Sequence, residues 1–372
     1  MKPLSSALRL PGVGCLLLLS SALAGCDGPA ADKQSAPHDG KMQESAIHSG
    51  AQHGEPSGDR HADSGVAQSG PGQSEGQQSW PRTLQTPKGP LTLQRAPERI
   101  VSTSVTITGT LLAIDAPVTG SGATGRNSSV ADEQGFFTQW GPVAKDRQVR
   151  ALYVTEPNAE AIAADAPDLI VISATGGDSA IKLYPQLSAI APTLVIDYGD
   201  KSWQALAIQL GEITGHEQNA SEVISRFEQR VQNVKRAITL PPQPVSAFVY
   251  YEDGRGVNLW TAASAQGKLL TELGFTLAMP PAEVHGGTSM GKRNDIIQQS
   301  GENMAAGLTG KTMLLFSSDD DTVDKVRANP FLAHLEPVTA QRVYSMGPDT
   351  FRLDYYSASN MLNSIERQFK TR

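Results

Sequence analysis

Runs of apolar residues in this chain alternate with stretches in which apolar residues recur at helical spacing. The run from Leu169 to Ile172 is apolar without alternation, which is typical of a strand buried on both faces of a parallel sheet. An alanine-rich helical segment and a Pro-Asp break precede this run, and a Gly-Gly loop at residues 173–178 follows it. Because open α/β sheets bind ligands beyond the carboxyl ends of their strands, we expect this loop to line a binding cleft.

The same alternation predicts two series of strands and helices, as is typical of α/β domains. The first series begins with a small predicted β-hairpin at residues 81–93. Further strands are predicted at residues 99–103, 118–121 and 193–197, and helices at residues 108–114 and 185–190. The second series has predicted strands at residues 245–250, 259–260, 313–316 and 343–345, and predicted helices at residues 267–273, 295–305 and 355–369.

A helical segment separates the two series. Between residues 202 and 240, apolar residues recur at helical spacing and are interrupted only near Gly215. This pattern predicts a helix, a turn at residues 214–216 and one long helix that ends before Pro241. The predicted fold class is therefore α/β, with two Rossmann-like lobes that have central parallel-type sheets and are joined by a single long helix. The predicted lobes span residues 80–201 and 242–372, and the bridging helical segment spans residues 202–241.

The N-terminus has the features of an export signal. Residues 1–25 combine Lys2 and Arg9 with a short apolar run and with small residues before Cys26, which predicts a bacterial lipoprotein signal peptide. Cys26 would then carry the lipid, and Asp27 beside it favours anchoring at the periplasmic face of the inner membrane. An ordinary signal peptide with an incidental cysteine is the alternative.

Residues 26–79 have a different composition from the rest of the chain. They are rich in Gly, Ser and His and contain almost no large apolar residue, which predicts a disordered tether. Four of the seven histidines lie in this segment, so a loose metal-binding tail is the alternative to a solvated spacer.

Charge and cysteine content exclude several classes of function. The formal net charge is −7, and removal of the signal peptide makes the chain more acidic, so nucleic acid is not an expected partner. Cys15 and Cys26 are the two cysteines, and the globular part therefore has no thiol for a disulfide, a nucleophile or a cysteine zinc site. Residues 120–125 match the pattern GxGxxG, but a polar loop follows where a nucleotide-binding fold needs a helix. We expect neither an enzyme nor a cofactor.

Five segments of the chain, together with the two-lobe order, resemble a known protein family. They lie at residues 99–106, 167–179, 191–194, 210–217 and 351–358. The chain from Trp80 to the C-terminus resembles the periplasmic binding proteins that feed iron-siderophore and cobalamin ABC importers, in particular those that bind ferric enterobactin. The resemblance implies a monomeric periplasmic protein that captures a ferric catecholate siderophore, ferric enterobactin, and delivers it to an inner-membrane ABC permease. Iron would be bound only as part of that ligand.

The alternatives are a binding protein for another iron chelate, haem or cobalamin, and a zinc-binding importer component. A closed zinc site needs three or four convergent ligands, whereas His216, His285 and His334 are scattered singly outside the tether. The histidine pattern therefore disfavours zinc.

The ligand implied by the resemblance is a trianion with an aromatic surface, so its pocket needs fixed cations and flat apolar faces. Guanidinium groups suit it best, because they donate hydrogen bonds to catecholate oxygens and stack on the rings. The candidate ligand-binding residues are Arg126 and Thr175 in the first lobe, and Trp260, Lys292, Arg293 and Arg352 in the second.

Several of these candidates have a structural role as the alternative to ligand binding. Lys292 and Arg293 close a Gly-rich loop, and simple surface charge is their alternative. Trp260 ends a predicted strand as an aromatic wall, and packing inside its lobe is its alternative. Arg126 stands at a different point of its loop from the arginine expected in the family.

Arg352 follows the predicted strand at residues 343–345 and a turn, so it lies at the carboxyl end of a strand. A structural salt bridge with Asp349 or Asp354 is the alternative to ligand binding.

The resemblance also implies a docking surface. Arginines of the permease would grip one acidic side chain on each lobe, and acids near helix N-termini are suitably placed for this. Glu160 lies on the helix before Pro167, and Asp295 is expected to open the helix after Arg293, so these two acids are the docking candidates. Helix capping alone is the alternative role of each.

Overall fold

Each lobe contains a five-stranded sheet, and the central strand of each sheet is the one that comes first in the chain. The structure is a computed structural model, and it describes residues 79–199, 201–284 and 294–371. The first sheet has the order β5-β4-β3-β6-β7 and is parallel throughout. Its strands are β3 (Ile100–Ser102), β4 (Val118–Ala123), β5 (Arg150–Val154), β6 (Leu169–Ser173) and β7 (Thr193–Ile196). All five residues of β6 are buried, which confirms the prediction from its unbroken apolar run.

An antiparallel hairpin precedes the first sheet, as the sequence predicts. It consists of β1 (Arg82–Thr86) and β2 (Gly89–Leu93). Arg82 is 7% exposed, and its Nη1 donates to the backbone carbonyl of Glu212 and to the carboxylate of Glu217, both at 2.5 Å. The hairpin is thus attached to the bridging helices by a charge-assisted contact.

The helices of the first lobe are α1 (Val105–Ala113), α2 (Gly141–Asp146), α3 (Ala159–Ala164) and α4 (Tyr184–Ile190). Side-chain caps set the start of two of them. Ser104 Oγ accepts from the backbone N–H of Ile107 at the start of α1, and Asn158 Oδ1 accepts from that of Ala161 at the start of α3.

Two consecutive helices bridge the lobes, α5 (Trp203–Thr214) and α6 (Glu217–Ala237). The turn between them lies where the sequence predicts it, because Gly215 adopts a φ of 79°, a left-handed conformation that glycine adopts without steric cost. The buried side chains of α6 recur at helical spacing and are Ala220, Val223, Phe227, Val231 and Val234.

The second sheet has the order β10-β9-β8-β11-β12. Its strands are β8 (Val245–Tyr251), β9 (Gly256–Trp260), β10 (Ile296–Gln299), β11 (Thr312–Phe316) and β12 (Val343–Ser345). The expected parallel pairing is confirmed for β8, β11 and β12, but β9 runs antiparallel to β8, and β10 runs antiparallel to β9. A four-residue connection joins β8 to β9, and so short a link permits only antiparallel pairing.

The helix predicted at residues 295–305 is wrong. Strand β10 occupies the first part of this segment, and a 3₁₀ turn (Gly301–Asn303) and the short helix α8 (Met304–Gly307) occupy the rest. The β-branched pair Ile296 and Ile297 favours a strand, and Ser300 adopts extended backbone between the two elements. Asp295 therefore precedes a strand and does not open a helix.

The remaining helices are α7 (Ala265–Glu272), α9 (Asp320–Ala328), α10 (Glu336–Thr339) and α11 (Tyr355–Phe369). The predicted bounds of the C-terminal helix are confirmed, and Asp354 and Ser357 close a capping box at its start. No pattern predicted α9, because only Val323 and Val326 are buried along it.

One buried apolar cluster runs from the first sheet through α5 and α6 into the second sheet. Smaller clusters cover the other face of each sheet. At the junction, the Trp203 ring meets Phe227 of α6 at 5.1 Å and Tyr355 of α11 at 5.6 Å, each edge to face. The two lobes therefore share a core. Within the described ranges, no helix has the length and apolarity that a membrane crossing requires.

Candidate functional site

The loops at the carboxyl ends of the strands bring the two lobes together. Tyr198 follows β7 in the first lobe, and Arg352 lies beyond β12 in the second. The Arg352 guanidinium carbon lies 5.0 Å from the centre of the Tyr198 ring, within the range of a cation–π contact. The contact places the carboxyl edge of the first sheet opposite the loop after β12, and we take the space around it as the candidate binding cleft.

A hydrogen-bonded cluster forms the first-lobe side of this cleft. The Tyr198 hydroxyl donates to Asp178 Oδ1 at 2.9 Å. Asp178 Oδ2 accepts from the Ser104 hydroxyl at 2.5 Å and from the backbone N–H of Thr106 at 3.1 Å. Burial and the nearby Asp178 carboxylate raise the pKa of Tyr198, and Arg352 opposes them. Tyr198 is therefore a neutral phenol and a hydrogen-bond donor at neutral pH.

The Gly-Gly loop at residues 173–178 is shaped by Tyr198. Gly176 has a φ of 92°, and a Cβ atom at this position would lie 2.0 Å from the Tyr198 hydroxyl oxygen. The loop thus needs glycine here both for its backbone conformation and for space. Thr175 is exposed on the same loop, and its hydroxyl donates to Asp197 Oδ1 at 3.1 Å. The structure places Thr175 at the edge of the cleft, and its contact with a ligand stays a prediction.

Arg352 has no acidic partner in the part of the chain that the structure describes, and its side chain is exposed. The expected alternatives are occupied elsewhere: Asp349 accepts from Asn360 Nδ2 at 2.7 Å, and Asp354 accepts from Ser357 and from Gln139 Nε2. The salt-bridge interpretation of Arg352 is therefore wrong. Burial raises the pKa of both aspartates, since it removes water from their charged forms.

Trp260 is packed inside the second lobe. It is 4% exposed and lies edge to face with Phe351 at 5.6 Å and with Phe316 at 6.4 Å. Because β9 is antiparallel to β8, the carboxyl end of β9 points away from the carboxyl ends of β8 and β11. Its indole N–H has no hydrogen-bond partner among the described atoms. Packing is the observed role of Trp260, and a role as ligand wall stays a prediction.

Arg126 lies in the exposed loop after β4, and no hydrogen bond or ion pair to another described residue holds it. The structure does not bring it into contact with Arg352. Lys292 and Arg293 lie outside the described residues, and so does Cys26. Arg352 is thus the predicted cation that the structure brings to the cleft.

The two sheets have the same strand order, so that β5 of the first lobe corresponds to β10 of the second. Glu160 follows β5, in the first turn of α3 behind the capping residue Asn158. Glu302 takes the equivalent position after β10, in the 3₁₀ turn behind Ser300. Both glutamates are exposed. Since β10 runs in the direction of β8, Glu302 lies at the carboxyl edge and Asp295 at the opposite edge.

Sequence reasoning missed Glu302. A signal for it exists, because Ser300-Gly-Glu302 repeats the spacing of Asn158-Ala-Glu160: a capping residue, a small residue and a glutamate. In both lobes this triplet follows an edge strand and leads into the short helix before a central strand. The shared strand order of the two sheets relates Glu302 to Glu160.

Two surface grooves of about 560 and 380 Å³ lie away from this cleft, along the bridging helices. They are lined mainly by residues of α5 and α6, among them Glu212, Glu217 and Glu228. Across the described ranges, no three or more His, Cys, Asp and Glu side chains converge in a way that would hold a metal ion.

Comparison with known proteins identifies the family. The profile of the family described as "Periplasmic binding protein" matches residues 100–350, which include both sheets. The chain belongs to the periplasmic binding protein family. Among other members, the ferric enterobactin-binding periplasmic protein FepB of Escherichia coli O6:H1 (strain CFT073) is 57% identical over 290 residues, which cover 78% of this chain and 91% of FepB.

Two solved structures share this fold. The crystal structure of holo-ViuP has a TM-score of 0.70 and 36% sequence identity, and the match covers 79% of this chain and 97% of ViuP. The triscatecholate siderophore-binding protein FeuA from Bacillus subtilis, complexed with ferri-bacillibactin, has a TM-score of 0.55 over 76% of this chain and 96% of FeuA. At 17% identity, FeuA supports the two-lobe fold alone.

Proposed function

We propose that this protein is the substrate-binding component of an ABC importer, and that it captures a ferric catecholate siderophore, ferric enterobactin. The observation that carries the proposal is Arg352, a guanidinium at the cleft that stacks on Tyr198 and has no acidic partner in the described part of the chain. The 57% identity to FepB across most of both chains supports the same ligand.

The chemistry of the ligand matches this group. The trianionic complex presents catecholate oxygens and flat rings on its surface. A guanidinium donates hydrogen bonds to the oxygens from its edge and stacks on a ring with its face. The stacking contributes about 0.5 to 2 kcal/mol, depending on how far the pair is removed from water. Because the whole chain has a net charge of −7, attraction of a trianion must come from such local cations.

The proposed action involves binding and release and no bond-making step. The protein holds the intact complex, with iron as cargo inside the ligand. Since one apolar core runs through both lobes, we expect small changes in lobe position on binding and a largely preformed pocket.

The proposal also includes a lipid anchor at Cys26 that holds the protein at the periplasmic face of the inner membrane. Incorporation of radiolabelled palmitate that persists in Cys26→Ala would contradict the anchor.

Ligand choice tests the proposal. The chain has four tryptophans, and two of them, Trp203 and Trp260, pack near the junction of the lobes and the loop of Arg352, so fluorescence reports on the cleft. We expect ferric enterobactin to quench the fluorescence at lower concentration than ferrichrome, haem or cobalamin. A preference for the hydroxamate or for either tetrapyrrole would overturn the catecholate assignment.

We further propose that Glu160 and Glu302 are the acids that the permease grips. The same strand order in both sheets supports the pair, because the two glutamates then occupy equivalent positions at the carboxyl edges. Asp295 is replaced in this role, since it lies at the amino end of β10.

Alanine substitutions at the two glutamates test the docking pair. We expect Glu160→Ala and Glu302→Ala each to weaken association with the permease in proteoliposomes by about tenfold, the loss of one charge-assisted contact. Affinity for the siderophore should not change. Glu133→Ala serves as control, because Glu133 is 73% exposed and lies neither in α3 with Glu160 nor in the 3₁₀ turn with Glu302. If Asp295→Asn lowers association and Glu302→Ala does not, the assignment on the second lobe is wrong.

A further inference from the structure

Tyr198 is the residue through which the first lobe contacts Arg352. It is 8% exposed, and the face of its ring lies under the guanidinium at 5.0 Å. The contact joins residues of different lobes, because Tyr198 follows β7 and Arg352 follows β12. The position of the arginine is therefore set in part by a side chain of the opposite lobe.

Two segments of the first lobe hold the hydroxyl end of the Tyr198 side chain, the loop after β6 and the start of α1. The Tyr198 hydroxyl donates to Asp178, which lies on the loop after β6. Asp178 in turn accepts from Ser104 and from the backbone of Thr106, at the start of α1. Gly176 packs against the hydroxyl oxygen with no room for a side chain. These contacts fix the hydroxyl end of the side chain, so the Tyr198 ring is held in a defined position.

A guanidinium has two faces, and Tyr198 covers one of them. The Arg352 side chain remains exposed, and within the described ranges its N–H groups have no hydrogen-bond partner. The second face and the N–H edge are thus available to a ligand in the cleft. An arginine side chain has many rotamers, and holding it in one arrangement before binding removes the entropy loss that binding would otherwise cause.

We infer that Tyr198 is a positioning residue for siderophore binding, which orders the Arg352 guanidinium so that a catecholate ring stacks on its second face. The guanidinium then lies between two aromatic rings, one from the protein and one from the ligand. This inference rests on the proposed function for its ligand, but the order that Tyr198 imposes on Arg352 exists without ligand and is measurable without it.

A double-mutant cycle with ferric enterobactin tests the coupling. We expect Tyr198→Leu to weaken binding about fivefold, the size of one lost stacking contact. In the Arg352→Ala background the same substitution should change affinity less than twofold. Tyr198→Leu should leave the salt dependence of binding as in the unmodified protein, because the charge of Arg352 remains. Tyr198→Phe, which keeps the ring, should weaken binding less than Tyr198→Leu does.

Tyr184→Leu is the matched control. Tyr184 also lies under a cation, Lys88 at 5.4 Å, but neither residue contacts Arg352. We expect this substitution to leave affinity unchanged. If Tyr198→Leu weakens binding equally with and without Arg352, Tyr198 acts on its own and the inference is wrong. Unchanged affinity in Tyr198→Leu would overturn it as well.

A measurement without ligand separates this inference from the proposed function. The Nε–H proton of Arg352, assigned by its absence in Arg352→Ala, should show a ring-current shift in the ligand-free protein. The shift should vanish in Tyr198→Leu and persist in Tyr198→Phe. Absence of the shift in the unmodified protein overturns the inference whatever the ligand is. Presence of the shift in a protein that binds no ferric siderophore would instead overturn the proposed function, and with it the ligand in the inference.

Discussion

Arg352→Ala should weaken the binding of ferric enterobactin by about 10- to 100-fold at low ionic strength, which corresponds to the loss of hydrogen bonds that involve a charged group. The effect should be smaller at high salt, because ions screen the attraction between an exposed cation and a trianion. The physical reason is the isolation of the group: Arg352 has no acidic partner among the described residues, so its charge is available to the ligand. Titration of fluorescence quenching at two salt concentrations measures both effects.

Arg226→Ala is the control for this substitution. Arg226 is an exposed arginine on α6, and its removal changes the net charge equally. We expect it to shift the affinity by less than twofold. Equal affinities for the unmodified protein and Arg352→Ala, at both salt concentrations, would remove Arg352 from the binding site.

Trp203→Ala should lower the free energy of unfolding by about 3 to 5 kcal/mol, the range for a large aromatic side chain removed from a packed core. Trp203 is 6% exposed and meets Phe227 of α6 and Tyr355 of α11 edge to face. The substitution therefore leaves a cavity where the first lobe, the bridging helix and the C-terminal helix meet. Urea denaturation followed by circular dichroism measures the loss without relying on the deleted fluorophore.

Trp203→Phe provides the comparison, because it retains an aromatic ring at the junction. It should retain more than half of the stability that alanine removes. A loss below about 1 kcal/mol in Trp203→Ala would show that the junction collapses around the missing ring, and the shared core would then contribute little to holding the lobes together.

In the first lobe, edge strand β5 was not predicted from sequence, whereas β3, β4, β6 and β7 were, and β6 most clearly, because a parallel strand buried on both faces is a continuous apolar run. Strand β10 was not predicted either, because it is an edge strand with only partial burial and the polar residues Gln298 and Gln299 at its end. In such a segment the pattern of apolar residues resembles an exposed helix. The antiparallel pairing of β9 follows from the short turn before it, a length that the sequence alone does not delimit.

The candidate site was predictable in its chemistry and not in its geometry. Arg352 stands out because a trianionic aromatic ligand calls for a guanidinium near a strand end. Tyr198 does not stand out, because an aromatic residue after a buried strand usually belongs to the core, and no local pattern tells that it lies under an arginine of the other lobe. Glu302 was within reach, since the triplet Ser300-Gly-Glu302 repeats the one at Glu160.

The continuous apolar core has a consequence for unloading. Separation of the lobes would expose apolar surface to water, at a free-energy cost of about 25 cal/mol for each Å². We therefore do not expect thermal motion alone to separate the lobes widely. Release of the siderophore should require the transporter to force the lobes apart. The distance between Glu160 and Glu302 should then be nearly the same with and without the siderophore, because the shared core holds the two lobes at a fixed spacing.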